Sequence, residues 1–205
     1  MHGNMVGTVP TVRAKRTSVM EAAVAEFQEH GFASASMDAI SARAEVSKRT
    51  LYKYFESKEN LFNAIVESLS DRMSHTLDVQ YDPALEIRAQ LVKLALAEGR
   101  LLMSSDVMAM ARMIIGETVR NPHMAAKAQE DIDKKSVVVA LLRAASDDGQ
   151  LDVPAPQVAA DEMIGLLKAR AFWPVIFGAP LVTEAQMEAI VEDTVDMIMA
   201  RYAKR

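Results

Sequence analysis

Apolar residues recur along this chain at the spacing of helices, and the pattern divides it into segments. Between Thr17 and His30, Met20, Ala23, Val24 and Phe27 fall at i, i+3, i+4 and i+7, and Gly31 ends that segment. Ser36–Ala44 (SMDAISARA) predicts a short helix with Ser36 as N-cap, Asp38 at its positive end, and Met37, Ile40 and Ala44 inward. Ser47 caps a third helix whose Leu51 and Phe55 face inward. Ser57 opens a longer one to about Val79, striped by Leu61, Phe62, Ile65, Leu69, Met73 and Leu77. Its length of roughly 30 Å would let it carry a displacement from one part of the molecule to another.

Beyond Pro83 the same period gives helices over about Pro83–Ser104, Ser105 or Asp106 to Arg120, Pro122–Ala145 after the cap Asn121, and Gln157–Phe177. The last opens on a Thr183–Gln186 capping box and carries Met187, Ile190, Val191, Thr194, Ile198 and Tyr202 on one face. Nine helices and no strand make this an all-α chain.

The third helix is the chemically distinctive one. At about 100° per residue, Lys48, Arg49, Tyr52 and Lys53 share an arc of about 140°, opposite Leu51 and Phe55. Cations and a phenol on one small face suit the phosphates and base edges of a DNA major groove. A solvated basic face is the plainer reading. Only Glu45 and Val46 separate the preceding helix from the cap Ser47, and two short helices joined so tightly, the second basic, form a helix-turn-helix pattern.

The run from Ala22 to Phe62, with AEFQEHGF, SMDAISARAEVSKRTLYKYF and SKENLF in order, resembles the DNA-binding domain of the TetR family of transcriptional regulators. Glu45 departs from the family pattern, which often has Gly there, and so does Arg49, where Gly is common. The resemblance implies an N-terminal three-helix helix-turn-helix domain, a helical C-terminal domain that binds a small apolar effector and dimerises, and a palindromic operator bound by a homodimer. The residues expected to meet double-stranded DNA are Arg13, Arg16, Ser36, Met37, Ser47, Lys48, Arg49, Thr50, Tyr52, Lys53, Tyr54 and Lys58. Residues 1–12 read as a flexible arm, 13–58 as the DNA-binding domain, and 59–205 as the effector-binding and dimerisation domain.

A net charge of −5 is unusual for a DNA binder, but it divides unevenly. Residues 1–58 carry +2 and residues 59–205 carry −7, so the basic end is the one with the helix-turn-helix. The chain has no cysteine, which excludes thiolate chemistry and disulfides. The N-terminus lacks the apolar core of a signal peptide, and the uncharged run Ala171–Thr183 is short and holds two prolines. A cytoplasmic protein with no membrane partner is the expectation.

In the C-terminal half, the segment from Met163 to Phe177 is apolar nearly all round, interrupted only by Lys168 and Arg170. Such a helix must be covered on two sides. Gly165, Ala169, Phe172, Trp173 and Ile176, with Ile190, Val191, Thr194 and Ile198 of the last helix, are therefore candidates for a four-helix dimer interface. Pro174 removes a donor that the Arg170 carbonyl would use, which predicts a kink beside Trp173. ARMIIGETVRNP and MIGLLKARAFWPVIFG resemble the AefR-like subgroup of TetR regulators. Methionine is abundant, 14 in all, and adapts to varied apolar shapes. Leu102, Met103, Met108, Met110 and Met113, with Phe172 and Trp173, are the candidate effector pocket, and core filling is the alternative for each methionine.

The histidines, His2, His30, His75 and His123, are scattered, and no carboxylate at metal-ligand spacing accompanies them. No phosphate loop, GxGxxG or GxSxG is present, and the acidic run Glu130, Asp131, Asp133 precedes Lys134 and Lys135 as a solvated face would. No metal, cofactor or enzymatic activity is expected. The leading function is a ligand-responsive repressor. The alternative is a DNA-associated adaptor whose C-terminal domain binds a protein partner.

Overall fold

The computed structural model describes residues 12–76, 79–121 and 136–204, and holds ten helices and no strand among them. The chain divides into two compact units, Met1–Val66 and Glu67–Arg205.

The first unit contains α1 (Val12–Ser34), α2 (Met37–Arg43), α3 (Lys48–Tyr54) and the start of α4 (Lys58–Thr76). α1 begins five residues before the start expected at Thr17, because Arg, Lys and Ala in its first turns are good helix formers. Gly31, at φ 75°, interrupts it where the sequence requires a left-handed residue. Val19, Ala23, Phe27, Ile40, Leu51, Phe55, Leu61, Phe62 and Ile65 are buried at the centre of this unit. The rings of Phe27, Phe32 and Phe62 meet at 5.3–6.4 Å between centroids. Each fully buried Leu or Phe contributes about 1.5–3 kcal/mol, so this core is small. Arg43 adds a polar tie between α2 and α1, pairing with buried Glu26 at 3.5 Å and with Glu29.

The second unit holds α5 (Ile87–Leu102), α6 (Ser105–Arg120), α7 (Ser136–Asp147), α8 (Pro156–Ala171), α9 (Trp173–Ile176) and α10 (Glu184–Tyr202). α10 packs on α5 and α8, α7 packs on α8, and α9 touches α6 and α8. Leu91, Leu94, Ala95, Leu142, Met163, Leu167, Met187 and Val195 are part of one apolar core. Gly99 lets α5 and α10 close on each other, since a Cβ there would stand 2.7 Å from Met187 Sδ. Buried Gln90 organises the loop before α5: its side-chain oxygen accepts from the Asp82 amide, and its nitrogen donates to the carbonyls of Asp82 and Leu85. That loop contains Pro83, so α5 starts at Ile87 and not at the proline.

One sequence expectation holds here and another changes. The kink foreseen beside Trp173 divides the helix expected over 157–177 at Phe172 into α8 and α9. Pro174 offers no N–H to the Arg170 carbonyl, and its ring excludes that carbonyl from a regular turn. The stripe on α10 faces differently from the dimer expectation. Ile190, Val191, Thr194 and Ile198 are 5% exposed or less within the single chain, because α10 turns that face onto α5 and α8. They seal the chain's own core, so the interface expected at these four positions is not exposed in the single chain. The helix start expected at Pro122 lies outside the described residues, where α7 is described from Ser136.

Candidate nucleic-acid interface and ligand cavity

α2 and α3 are built from their caps. Ser36 Oγ accepts from the Ala39 amide at 3.1 Å, and Ser47 Oγ accepts from Thr50 at the same distance. Between them α2 ends in a turn with two reciprocal bonds, Val46 N–H to the Ser41 carbonyl and Glu45 N–H to the Ala42 carbonyl. Glu45 occupies its left-handed position at φ 54°, the only positive φ outside glycine among the described residues. The departure from Gly noted in the sequence thus falls where Gly would be unstrained.

This framework presents one face of α3. Arg49, Tyr52 and Lys53 are exposed, Tyr52 at 48%, and no hydrogen bond or ion pair engages their side chains among the described residues. Lys48 is exposed but tied back, its Nζ 2.6 Å from Asp38 Oδ2. Thr50 is half-buried and shares a 2.8 Å hydrogen bond with Ser47. Tyr54 and Met37 are half-buried, and Ser36 is exposed at its cap. Arg16 leans over the Phe55 ring at 5.2 Å and donates to Met20 Sδ. The side chain of Arg13 and the arm before it lie outside the described residues. Lys58 turns inward: Nζ donates to the carbonyls of Ala35 at 2.9 Å and Ala33 at 3.1 Å and sits 4.7 Å from the Phe32 ring centre. These contacts occupy the ammonium expected to meet phosphate.

In the second unit the predicted pocket residues are dispersed into packing. Leu102 and Met108 belong to the apolar core, Met110 and Met113 are buried on α6, and Met103 and Phe172 pack half-buried against the core. Trp173 is 44% exposed and stacks on Phe177, itself 83% exposed. The carbonyls that close α9 are held by Arg112 of α6, which donates to Val175 at 2.7 Å and to Ile176 at 3.4 Å.

Hollows lie elsewhere among the described residues. A groove of about 330 Å³ is lined by Val79, Gln80, Tyr81 and the α7 residues Val137, Ala140, Leu141 and Ala144. A small, partly open cavity of about 10 Å³, room for roughly one water, is walled by Leu94, Ala95, Val138, Met163, Ile164 and Leu167. Its one acidic wall residue is Glu98, 6% exposed, whose carboxyl is raised above the ordinary Glu range by burial, with Lys168 acting in the opposite direction. Sequence reasoning passed over Glu98, Arg112 and the Asp38–Lys48 pair. Glu98 left a signal: it stands seven residues after Leu91 and four after Leu94, on the buried stripe of α5.

The sequence showed no histidine with a carboxylate at ligand spacing. The fold corrects this: Glu26, Glu29 and His30 bring their ligand atoms within 4.8 Å of one another. The Arg43 guanidinium lies among them, 3.5 Å from Glu26, and supplies the positive charge that a metal ion would otherwise bring. No helix among the described residues is long and apolar enough to cross a membrane.

Residues 19–65 match the family described as "Bacterial regulatory proteins, tetR family", and residues 89–204 match "AefR-like transcriptional repressor, C-terminal domain". The HTH-type transcriptional repressor SCO4008 of Streptomyces coelicolor is 31% identical over 170 residues, covering 80% of this chain and 79% of that protein. A TetR family transcriptional regulator from Pseudomonas syringae pv. tomato has a solved structure that superposes with a TM-score of 0.79 at 38% identity, covering 93% of this chain and 98% of that one. The flavonoid-responsive regulator FrrA superposes at 0.72 with 27% identity, over 93% and 98% of the two chains.

Proposed function

Because this chain belongs to the TetR family of bacterial regulatory proteins and is a DNA-binding transcriptional regulator, we propose that it is a repressor. In this reading it binds a palindromic operator as a homodimer and lets go when a small apolar effector enters the second unit. The observation that carries the reading is the α3 face: Arg49, Tyr52 and Lys53 stand exposed together on a helix fixed by two serine caps and a tight turn. Arg49 is assigned a base edge and Lys53 a phosphate, with Tyr52 adding one hydroxyl bond. The protein acts in the cytoplasm, where its DNA is, and performs no catalysis.

Dimerisation is assigned to the outer face of α8 and the α9 aromatics. Gly165 and Ala169 are exposed and small, Phe172 continues the same face, and Trp173 and Phe177 extend it. A Cβ at Gly165 would meet nothing within 4 Å, which leaves room for a partner helix to approach. Two copies joined there would offer paired recognition helices to half-sites about 34–36 Å apart.

The test is selection of binding sites from random duplex DNA by the purified protein, followed by titration at several salt concentrations. A two-fold symmetric consensus and a salt-dependent affinity are expected. Recovery of no consensus would defeat the reading. A panel of small molecules that never releases this DNA, beside a protein that does, would favour the adaptor alternative.

A further inference from the structure

Glu98 is the most unusual buried group in the second unit. Apolar side chains surround it on the cavity wall, among them Leu94, Val138, Met163 and Leu167. The one neighbouring charge that acts on it among the described residues is Lys168 on α8. Yet the Lys168 ammonium lies against the Phe172 ring, 5.7 Å from its centre, and forms no ion pair with Glu98. A carboxyl without a close countercharge in an apolar box costs stability, and glutamine or leucine would fill the same volume more favourably. Such a local conflict between residue and environment is characteristic of binding sites.

We propose that Glu98 is the charge-recognising residue of the effector site and that the effector is a lipophilic monocation, an alkyl- or arylalkylamine. This rests on the reading that the second unit binds a small effector. The hollow beside Glu98 holds one water-sized group, which is the size of an ammonium head. The hydrocarbon of such a ligand displaces Met163, whose unbranched thioether side chain repacks readily, and half-buried Ile164. An ammonium beside Glu98 supplies the countercharge that Lys168 leaves wanting. A neutral ligand of equal size would gain only the apolar contacts. An anionic one would meet a carboxylate.

The test uses the full-length protein and three ligands of matched shape: 4-phenylbutylamine, 4-phenylbutanol and 4-phenylbutyrate. Calorimetry should show the amine binding at least about tenfold more tightly than the alcohol, with the carboxylate weakest. Glu98→Gln should abolish that preference and leave the alcohol unchanged, while melting no lower than the unmodified protein. Equal affinity for amine and alcohol, no binding of the amine, or a preference that survives Glu98→Gln would overturn the proposal. Fluorescence anisotropy of bound operator DNA, read in parallel, separates the two readings. An amine held through Glu98 that leaves DNA affinity unchanged upholds the cation site and defeats the effector role of the unit. Release of DNA by the alcohol and not by the amine upholds the effector role and overturns the cation.

Discussion

Lys48 and Asp38 join α3 to α2 through an ion pair of 2.6 Å, on the helix whose exposed Arg49, Tyr52 and Lys53 are proposed to meet DNA. Both side chains are more than half exposed, so the pair holds Lys48 in place at little energetic gain, about 0.2–1 kcal/mol. Any phosphate that Lys48 meets must compete with Asp38. Asp38→Asn should therefore tighten DNA binding up to about fivefold at low salt, with the difference shrinking as salt rises. Anisotropy titrations of both proteins check this, and weaker binding by the variant would count against it.

The left-handed Glu45 makes a second prediction. Glycine at this turn relieves a backbone cost of about 1–2 kcal/mol and loses part of it to unfolded-state entropy. Glu45→Gly should stabilise the protein by about 0.5–1 kcal/mol, whereas Glu45→Ala should not. Thermal melts of the two variants decide between relief of strain and mere removal of a charge.

Lys53 and Lys58 look alike in sequence and should behave differently. Lys58→Met loses two charged hydrogen bonds to carbonyls and a ring contact, so it should lower stability by about 1–3 kcal/mol. Its salt dependence of DNA binding should stay as it was. Lys53→Ala should leave the melt unchanged and reduce the salt slope by about one phosphate contact. A slope change for Lys58→Met would return it to the DNA surface.

Glu98 makes stability depend on pH in a defined direction. Burial raises its folded carboxyl above the ordinary Glu value of 4.5, so between that value and the raised one the native state binds more protons than the unfolded state. Stability from this group is therefore lost as pH rises through that window, and it stays lost above it. Glu98→Gln should melt above the unmodified protein at pH 8, and the two should converge below pH 4.5. A constant difference across the range would mean that Glu98 does not titrate in this way.

Charge placed at the surface of α9 should separate subunits without unfolding them. Phe177→Glu, at an 83% exposed site, should give a folded monomer by sedimentation with weakened operator binding. Ile190→Glu, at a 5% exposed site, should instead unfold the second unit. A dimer that survives Phe177→Glu would place the interface elsewhere.

The first unit was largely legible because its signals are local. Ser36, Ser47 and Gly31 act on the few residues beside them, and each sits in the structure where its chemistry calls for it. The second unit was legible as helices but not as partners. An apolar stripe such as that of Ile190, Val191 and Ile198 says that a face must be covered, and nothing in its period says by which helix. Lys58 shows the same limit for charge: a lysine beside a basic face reads as a phosphate contact until the carbonyls of Ala33 and Ala35 are brought to it by the turn at Gly31.

Because α10 turns its stripe onto α5 and α8, the homodimer proposed above would not depend on that face, and each copy would finish folding before it met another. Association would then follow ordinary mass action, with no obligate step in which two unfinished chains complete each other. A newly made copy could trade places with an older one, and two alleles made in the same cell could mix freely. A variant that damages α3 and leaves α9 intact would then be dominant, since every mixed pair it entered would hold one blind reading head.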